Sequence, residues 1–352
     1  MCNISGYIGN KRAAPILLEM LKKQAGFCGG YYTGITTIYN GKLYTAKVIG
    51  DVDRLIETTD AMNFPGNIGI IHSRSESGGD VHWAHPFNSN DNKISTVFNG
   101  ALGKYVCIDP HDALVNAVND IGATFESAVD SKIGTYPVLK DGRCVQVSEC
   151  LFHLTMYEMV TKNLATHKGL QNALLTYPSE IVGLGVCLDE PDRIAFVNHN
   201  MPMFVGTTTE EVFLGSMALC FPTDRDYIGI EQIPHSSSGE VYLNKIVIER
   251  FVQPLKIGKI TPDLIIKAKQ VMLEVLKTNG KPCTIGDFNK QVKLLFGDLI
   301  DQRYPVVYEI LREMLDNGIV EIVKTVCDGA IEARADGVKT TQFTVKLKES
   351  VC

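Results

Sequence analysis

The sequence contains no Cys-x-x-Cys pair, although it has 10 cysteines. The commonest zinc and iron–sulfur ligand patterns are therefore missing, and we expect neither a metal ion nor another cofactor. The chain also lacks the charged and then apolar N-terminal pattern of an export signal, and any apolar run long enough to span a bilayer. We therefore expect a cytoplasmic protein with reduced thiols, no disulfide framework and no membrane contact.

Two further site types have little support in the sequence. The stretch "HWAH" (82–85) has a His-x-x-His spacing, which we interpret as structural rather than metal-binding. The stretch "GLGVCLD" (183–189) contains glycines but lacks the spacing of a dinucleotide fingerprint. The one tryptophan, Trp83, is interpreted either as core packing or as a cover over a binding site.

Composition and charge indicate an ordinary globular protein. The 352 residues predict about two domains, and 45% of them are hydrophobic against 21% charged. The formal net charge of −6 gives no general attraction to nucleic acid or to acidic membranes.

The pattern of predicted elements changes near residue 255. Residues 1–255 alternate short strands and helices in an order that favours helices covering sheets over regular βαβ units. Residues 256–352 read as three helices, a strand and a hairpin, which is the order of a winged helix. This tail carries 15 Lys and Arg against 13 Asp and Glu, and only Arg303 opens its third helix. We therefore favour protein contact or a homodimer for the tail over nucleic-acid binding.

Cys2 follows the initiator methionine directly and precedes a strand-like segment. Removal of Met1 would place a free α-amine and a thiol on one residue. An α-amine has a pKa of about 7.7–8.0 and can act as a base near neutral pH, so nucleophile and base would be tethered together. Position alone is also compatible with an accidental cysteine on an N-terminal strand.

Two further segments supply groups that amide chemistry needs. Asn99 and Gly100 follow the strand "ISTVF", where a side-chain amide and a backbone N–H can stabilise an oxyanion; a tight turn is the structural alternative. Arg74 ends an apolar strand and precedes small hydroxyl and glycine residues, so it can hold a carboxylate, although a surface arginine would look the same.

Asp130, in "FESAVDSK", can hold an α-ammonium group or act as a solvated or capping aspartate. Together the four features describe hydrolysis of the side-chain amide of an α-amino acid, with glutamine as the obvious substrate. Physical reasoning alone does not pair residues so far apart in the sequence.

The ordered set Cys2, "HSRSESGG", "AHPF", "FNG", "TFESAVD" and "PMFVG" resembles the glutaminase domain of class II, N-terminal-nucleophile (Ntn) glutamine amidotransferases. Within that family it is most similar to the glutaminase half of glucosamine-6-phosphate synthase. The resemblance covers Cys2 to about Phe251. It places Ser77 and Gly79 beside Arg74 in the clamp for the substrate carboxylate, Asn99 and Gly100 in the oxyanion hole, and Asp130 at the substrate ammonium.

The resemblance implies a four-layer αββα sandwich over residues 1–255. With the small winged-helix-like domain that the element order predicts at 256–352, we expect an α+β fold. It implies attack of the cysteine on L-glutamine, a thioester intermediate and release of ammonia. The residues after 255 are too few for sugar-phosphate isomerase domains, so we expect a separate synthase subunit to receive the ammonia.

The sequence departs from the family at Asn3, Cys28, Ser75 and Gly78, where relatives carry glycine, arginine, an aromatic residue and histidine. Two alternatives therefore stay open. One is an Ntn amidohydrolase that acts on another amide. The other is a glutaminase-like regulatory or nucleic-acid-binding protein with reduced catalysis.

Overall fold

The structure is a computed structural model that describes residues 2–102, 111–134, 136–176, 179–199, 201–252, 260–297 and 303–348. Met1 lies outside these residues, as do Cys107 and Cys352. No disulfide joins the described cysteines. None of the described helices is both long and apolar enough to cross a bilayer.

The chain forms two compact units. The first unit contains Met1–Pro254 together with Asp328–Thr340, and the second contains Leu255–Cys327 together with Thr341–Cys352. The main division is thus near the predicted residue 255, but a short segment from the tail belongs to the first unit. The division into a glutaminase domain at 1–255 and a winged-helix-like domain at 256–352 stays a prediction.

The described strands are β1 (Asn3–Gly9), β2 (Tyr32–Tyr39), β3 (Lys42–Ile49), β4 (Ile68–Arg74), β5 (Phe87–Asn88), β6 (Ile94–Leu102), β7 (Ser179–Cys187), β8 (Glu190–His199), β9 (Phe204–Thr207), β10 (Glu211–Gly215), β11 (Gly229–Gln232), β12 (Ser237–Tyr242), β13 (Ile246–Arg250), β14 (Val320–Asp328) and β15 (Lys339–Leu347). The described helices are α1 (Ala13–Gln24), α2 (Val52–Thr58), α3 (His111–Asp120), α4 (Val147–Lys162), α5 (Thr166–Thr176), α6 (Pro262–Thr278), α7 (Ile285–Phe296) and α8 (Arg303–Asp316).

Two antiparallel sheets form the centre of the first unit. One sheet has the strand order β11-β9-β10-β1-β4-β2-β3, and the other has the order β13-β12-β8-β7-β6-β5. Their inner faces enclose one apolar layer, to which Ile4, Ile70, Val97 and Leu184 belong. This interior position explains why β1 and β4 are buried along their whole lengths.

Helices cover the outer face of each sheet. Residues of α1 and α2 pack with the outward residues of the first sheet, such as Tyr7 and Ile71. Residues of α3, α4 and α5 pack in the same way on the second sheet, with Phe98 in that cluster. The layers therefore follow the order helix, sheet, sheet, helix, as the resemblance implied.

The second unit begins with helices whose ends are marked in the sequence. Thr261 caps α6 by accepting a hydrogen bond from the Leu264 N–H, with Pro262 in the first turn. Thr284 and Asp287 form a reciprocal capping box at the start of α7. Strands β14 and β15 form a two-stranded sheet. The winged-helix assignment of this region stays a prediction.

Candidate active site

Three of the predicted site residues lie on or beside β1, β4 and β6, at one end of the space between the two sheets. Asn3 pairs with Ser73, so Cys2 lies opposite Arg74 by continuation of the same register. Alternate residues of a strand share a face, and Ile70 faces the layer between the sheets. Arg74 therefore faces that layer too, and so does Cys2.

Asn99 reaches the same space from the second sheet and contacts Cys2 on both sides of its backbone. The Cys2 N–H donates to Asn99 Oδ1 at 3.1 Å, and Asn99 Nδ2 donates to the Cys2 carbonyl at 2.9 Å. Asn99 is 3% exposed, so these two bonds are well shielded from water. Cys2 Sγ lies 3.9 Å from Ser75 Oγ. The structure thus brings the predicted nucleophile and the predicted oxyanion residue together.

Gly100 occupies a position that requires glycine. Its φ of 143° lies in a region that other residues rarely adopt, and a Cβ atom there would lie 1.9 Å from the Glu180 carbonyl oxygen. The backbone at Gly100 can therefore follow a course that a larger residue would block. Its predicted role as an oxyanion donor stays a prediction.

Arg74 is 1% exposed and is held by the loop that follows β4. Its Nη2 donates to Ser77 Oγ at 2.5 Å and to the Gly78 carbonyl at 3.0 Å. Ser77 Oγ also accepts a hydrogen bond of 3.0 Å from the Tyr136 hydroxyl. The predicted pair Arg74 and Ser77 is therefore in direct contact.

Aromatic rings surround the Arg74 guanidinium. Its carbon lies 4.5 Å from the Tyr32 ring centroid, 5.3 Å from that of Trp83 and 5.9 Å from that of Tyr136. Rings at such distances stabilise a cation through their electron-rich faces. Nε and Nη1 are buried and have no hydrogen-bond partner among the described residues, and no carboxylate there forms an ion pair with Arg74. The guanidinium thus keeps two unused donors.

Gly79 makes the approach of Trp83 to this site possible. It has a φ of 93°, and a Cβ atom there would lie 2.2 Å from the Trp83 ring. The indole Nε1 of Trp83 donates to the Ser127 carbonyl at 2.6 Å, and Glu149 accepts the backbone N–H of Ser127. These contacts fix Trp83 as a wall of the arginine site, so its packing and covering interpretations both apply.

Asp130 is exposed and lies on the chain segment that leads to Tyr136. Among the described residues, no hydrogen bond or ion pair joins it to Cys2, Arg74 or Asn99. Its positive neighbour is Arg143, whose pKa is raised, mainly by Asp141 and slightly by Asp130. The structure therefore does not bring Asp130 into contact with the other predicted residues, and its role stays a prediction.

Two fully buried histidines lie close to Arg74 in the interior of the first unit. The rings of His72 and His85 are 3.9 Å apart between centroids. Burial lowers the pKa of His72 to about 3, with Arg74 adding to the effect, and burial also holds the pKa of His85 well below its usual range. Both imidazoles are therefore neutral at physiological pH. His82, in contrast, is exposed, with Nδ1 3.7 Å from the Glu126 carboxylate.

These histidines predict a loss of stability in mild acid. In the unfolded chain a histidine takes up a proton near pH 6.5, whereas folded His72 resists protonation down to about pH 3. The contribution of neutral His72 is therefore complete above pH 6.5 and is lost as the pH falls, by about 2 kcal/mol at pH 5, and His85 acts in the same direction. We expect Tm to fall from pH 7 to pH 5, and His72→Phe to weaken that fall in calorimetric scans.

The exposed His82 provides the control for this measurement. His82→Phe should keep the wild-type dependence of Tm on pH. Asp51 and Glu149, whose carboxyl pKa values burial raises, act in the opposite sense and equally in every variant. An unchanged slope in His72→Phe would contradict the assignment.

Two of the four departures from the family pattern contact each other. Asn3 faces α1, away from the site, and its Nδ2 donates to the carbonyls of Cys28 (2.6 Å) and Gln24 (3.2 Å). The Asn3 amide therefore ties the segment after α1 to the nucleophile strand. Ser75 takes a different place, beside the Cys2 thiol.

Sequence reasoning missed the aromatic surroundings of Arg74. Tyr32 and Tyr136 were not predicted as site residues, and Trp83 was assigned no definite role. They are separated by 51 positions or more, and buried aromatic residues usually signal core packing. Only the tertiary structure places the three rings around one cation. Among the described residues, no group of three potential metal ligands exists.

Comparison with known proteins gives both sequence relatives and fold neighbours. Two proteins named glutamine–fructose-6-phosphate aminotransferase (isomerizing) are similar to this chain. The Clostridium tetani protein is 31% identical over 223 residues, and the Pyrococcus horikoshii protein is 26% identical over 219 residues. Each alignment covers 61% of this chain, which spans only about a third of each relative. No protein-family model matches the chain.

Solved structures support the fold. The Bacillus subtilis glutamine phosphoribosylpyrophosphate amidotransferase aligns with a TM-score of 0.57 at 17% identity, over 73% of this chain and 50% of that one. A structure described as the allosteric regulatory enzyme of purine biosynthesis aligns with a TM-score of 0.58 at 15% identity, over 80% and 59%. The resemblance stated from the sequence is thereby confirmed.

Proposed function

We propose that this chain, which is related to the class II, N-terminal-nucleophile glutamine amidotransferases, hydrolyses L-glutamine to glutamate and ammonia. Cys2 is the nucleophile in this proposal. The sequence relatives of this chain are aminotransferases whose names include glutamine. The chain spans about a third of each relative, so the proposal covers only the glutamine-hydrolysing part of their activity.

The observation that carries the proposal is the unsatisfied guanidinium of Arg74. A buried charge without a counter-ion is unfavourable, and removal of a partner from such a pair commonly costs several kcal/mol. Nε and Nη1 face no acceptor among the described residues, while Nη2 is fixed by Ser77 and Gly78. A substrate carboxylate supplies the missing acceptors and charge. Glutamine carries such a carboxylate, joined to its side-chain amide through the Cα, Cβ and Cγ atoms.

The geometry around Cys2 fits amide hydrolysis. With Met1 removed, the α-amine of Cys2 would lie 3.1 Å from Asn99 Oδ1, which would orient it. The amine then takes the thiol proton, the sulfur attacks the amide carbon, and ammonia leaves with a proton returned by the amine. Water hydrolyses the resulting thioester to glutamate. Asn99 Nδ2 and the Gly100 N–H stabilise the oxyanion, and Asp130 holds the substrate ammonium.

The ammonia acceptor in this proposal is bound by a separate synthase subunit. After residue 255 the described chain has three helices and a strand pair, without an extended sheet domain for a sugar phosphate. We assign the winged-helix-like tail to protein contact, either with that subunit or in a homodimer. Its helix α8 begins at the single Arg303, which does not favour nucleic acid as the partner.

The direct test is reaction with an electrophilic glutamine analogue, such as an L-configured diazoketone. We expect loss of Met1 and a single adduct on Cys2, detected by intact mass and peptide mapping. L-Glutamine should protect the thiol, whereas D-glutamine should not. A retained methionine, or the absence of an adduct on a trimmed chain, would contradict the glutaminase assignment.

A further inference from the structure

We propose that Glu332 is a positioning residue for the carboxylate clamp, acting on Arg74 through the hydroxyl of Tyr32. The inference rests on the proposed function and adds a determinant of glutamine binding from the last 25 residues of the chain. None of the motifs in the sequence pointed to it.

Glu332 lies in the segment Asp328–Thr340, which belongs to the first unit although both of its ends continue into the second. The segment contains a short 3-10 helix, Ile331–Asp336. Ala330, which precedes this helix, is fully buried in a small apolar cluster with Tyr32 and Ala84. The segment therefore packs against Tyr32, whose ring contacts Arg74, and it belongs to the same compact unit as these two residues.

The central contact is a hydrogen bond between Tyr32 and Glu332. The Tyr32 hydroxyl donates to Glu332 Oε2 at 2.7 Å, and it lies 3.2 Å from the Gly79 carbonyl. Burial, and then this hydrogen bond, raise the pKa of Tyr32, so the phenol keeps its proton. A charged acceptor at short distance makes a strong bond and fixes the orientation of the ring.

That ring is the nearest of the three aromatic rings around Arg74. The guanidinium carbon lies 4.5 Å from the Tyr32 centroid, and Tyr32 also pairs with Arg74 between β2 and β4. Rotation of the ring would remove the surface on which the guanidinium rests. Glu332 itself forms no ion pair with Arg74, so the arginine charge stays available to a ligand.

A second contact joins the same segment to the loop that supports Arg74. Glu76 Oε1 accepts the Ile331 N–H and an Arg334 Nη2–H, each at 3.2 Å. Glu76 immediately precedes Ser77, which holds Arg74 Nη2. This exposed ion pair is worth little by itself, but it secures the loop from the other side. The ring and the loop that orient Arg74 are therefore both held by one segment.

The test compares two reagents on the Cys2 thiol. An electrophilic analogue of L-glutamine uses the carboxylate clamp, whereas iodoacetamide does not. We expect Glu332→Ala to lower the second-order rate with the analogue about tenfold, the effect of losing about 1.4 kcal/mol, and to leave the iodoacetamide rate unchanged. In glutamine hydrolysis, KM should rise by a similar factor while kcat changes less than twofold.

Further variants make the test specific. Glu332→Gln should restore most of the analogue rate because its amide oxygen still accepts the Tyr32 proton. Tyr32→Phe should reproduce the loss, and the double variant Tyr32→Phe, Glu332→Ala should be no worse than either single one. Lys339→Ala removes an exposed ion pair with Asp328 in the same segment and should leave both rates unchanged.

The outcomes separate this inference from the proposed function. If wild-type protein shows no preference for the glutamine analogue over iodoacetamide, the proposed function fails and this inference fails with it. If the wild type shows the preference and Glu332→Ala keeps it, only the positioning role is overturned. A proportional loss of both rates, or a fall in kcat at constant KM, would also overturn it.

Discussion

Cys2→Ala should lower glutamine hydrolysis about 10³-fold or more, to the background of the assay. The substitution removes the thiol that lies beside Asn99, and with it the thioester route. The fold should be retained, because the Cys2 side chain is half-buried and its hydrogen bonds to Asn99 run through the backbone. Coupled detection of glutamate, together with Tm, measures both expectations.

Cys327→Ser is the matched control for this experiment. Cys327 is also half-buried and not part of a disulfide, and it lies in the second unit. We expect it to keep wild-type rates of hydrolysis and of labelling by the glutamine analogue. Retained glutamate release by Cys2→Ala, measured on protein without Met1, would refute the assignment of the nucleophile.

Arg74→Met should raise KM for glutamine by about a hundredfold or more, and the fold should be at least as stable as in the wild type. The first effect follows from the loss of two charge-assisted bonds to the substrate carboxylate. The second follows because methionine fills the aromatic site without burying an unpaired cation. Loss of binding together with an unchanged or higher Tm is unusual for substitution of a buried residue, so kinetics and calorimetry together are diagnostic.

Arg143→Met provides a comparison at an exposed arginine that pairs with Asp141. It should leave KM unchanged. Arg74→Lys should restore KM for glutamine only partly toward the wild-type value, because an ammonium group cannot form the two parallel bonds of a guanidinium. A marked fall in Tm for Arg74→Met would show that the arginine supports the fold rather than a ligand.

The sequence predicts those parts of the site that depend on local order. Arg74 at the end of an apolar strand is readable because strand ends leave local signals. Asn99 and Gly100 are recognised by their Asn-Gly sequence, but the structure places both inside β6, paired with β7, and not after the strand as the sequence predicts. The start of α6 at Thr261 and Pro262 carries a local signal of the same kind, because threonine caps the helix and proline fits its first turn. The covering of sheets by helices follows from the order of elements, whereas the arrangement as two sheets between helix layers was implied only by the family resemblance.

The remaining parts depend on contacts between distant residues. Glu332 is 300 positions from Tyr32, and no pattern in either segment announces the hydrogen bond between them. Asp130 is assigned to the site by a motif match alone, and its role stays a prediction because no contact among the described residues joins it to Cys2, Arg74 or Asn99. Side-chain pairing across sheets and loops is decided by packing of the whole unit, which a linear pattern does not encode.

The return of residues 328–340 to the first unit affects how this architecture can be rearranged during evolution. A genetic crossover at one point near residue 255 would exchange the tail and take Ala330, Glu332 and Arg334 with it. The recipient would keep Cys2 and Arg74 but lose the carboxylate that anchors Tyr32. A functional recombinant therefore requires either two breakpoints or joint inheritance of both units. We expect related proteins to gain or lose the two units together.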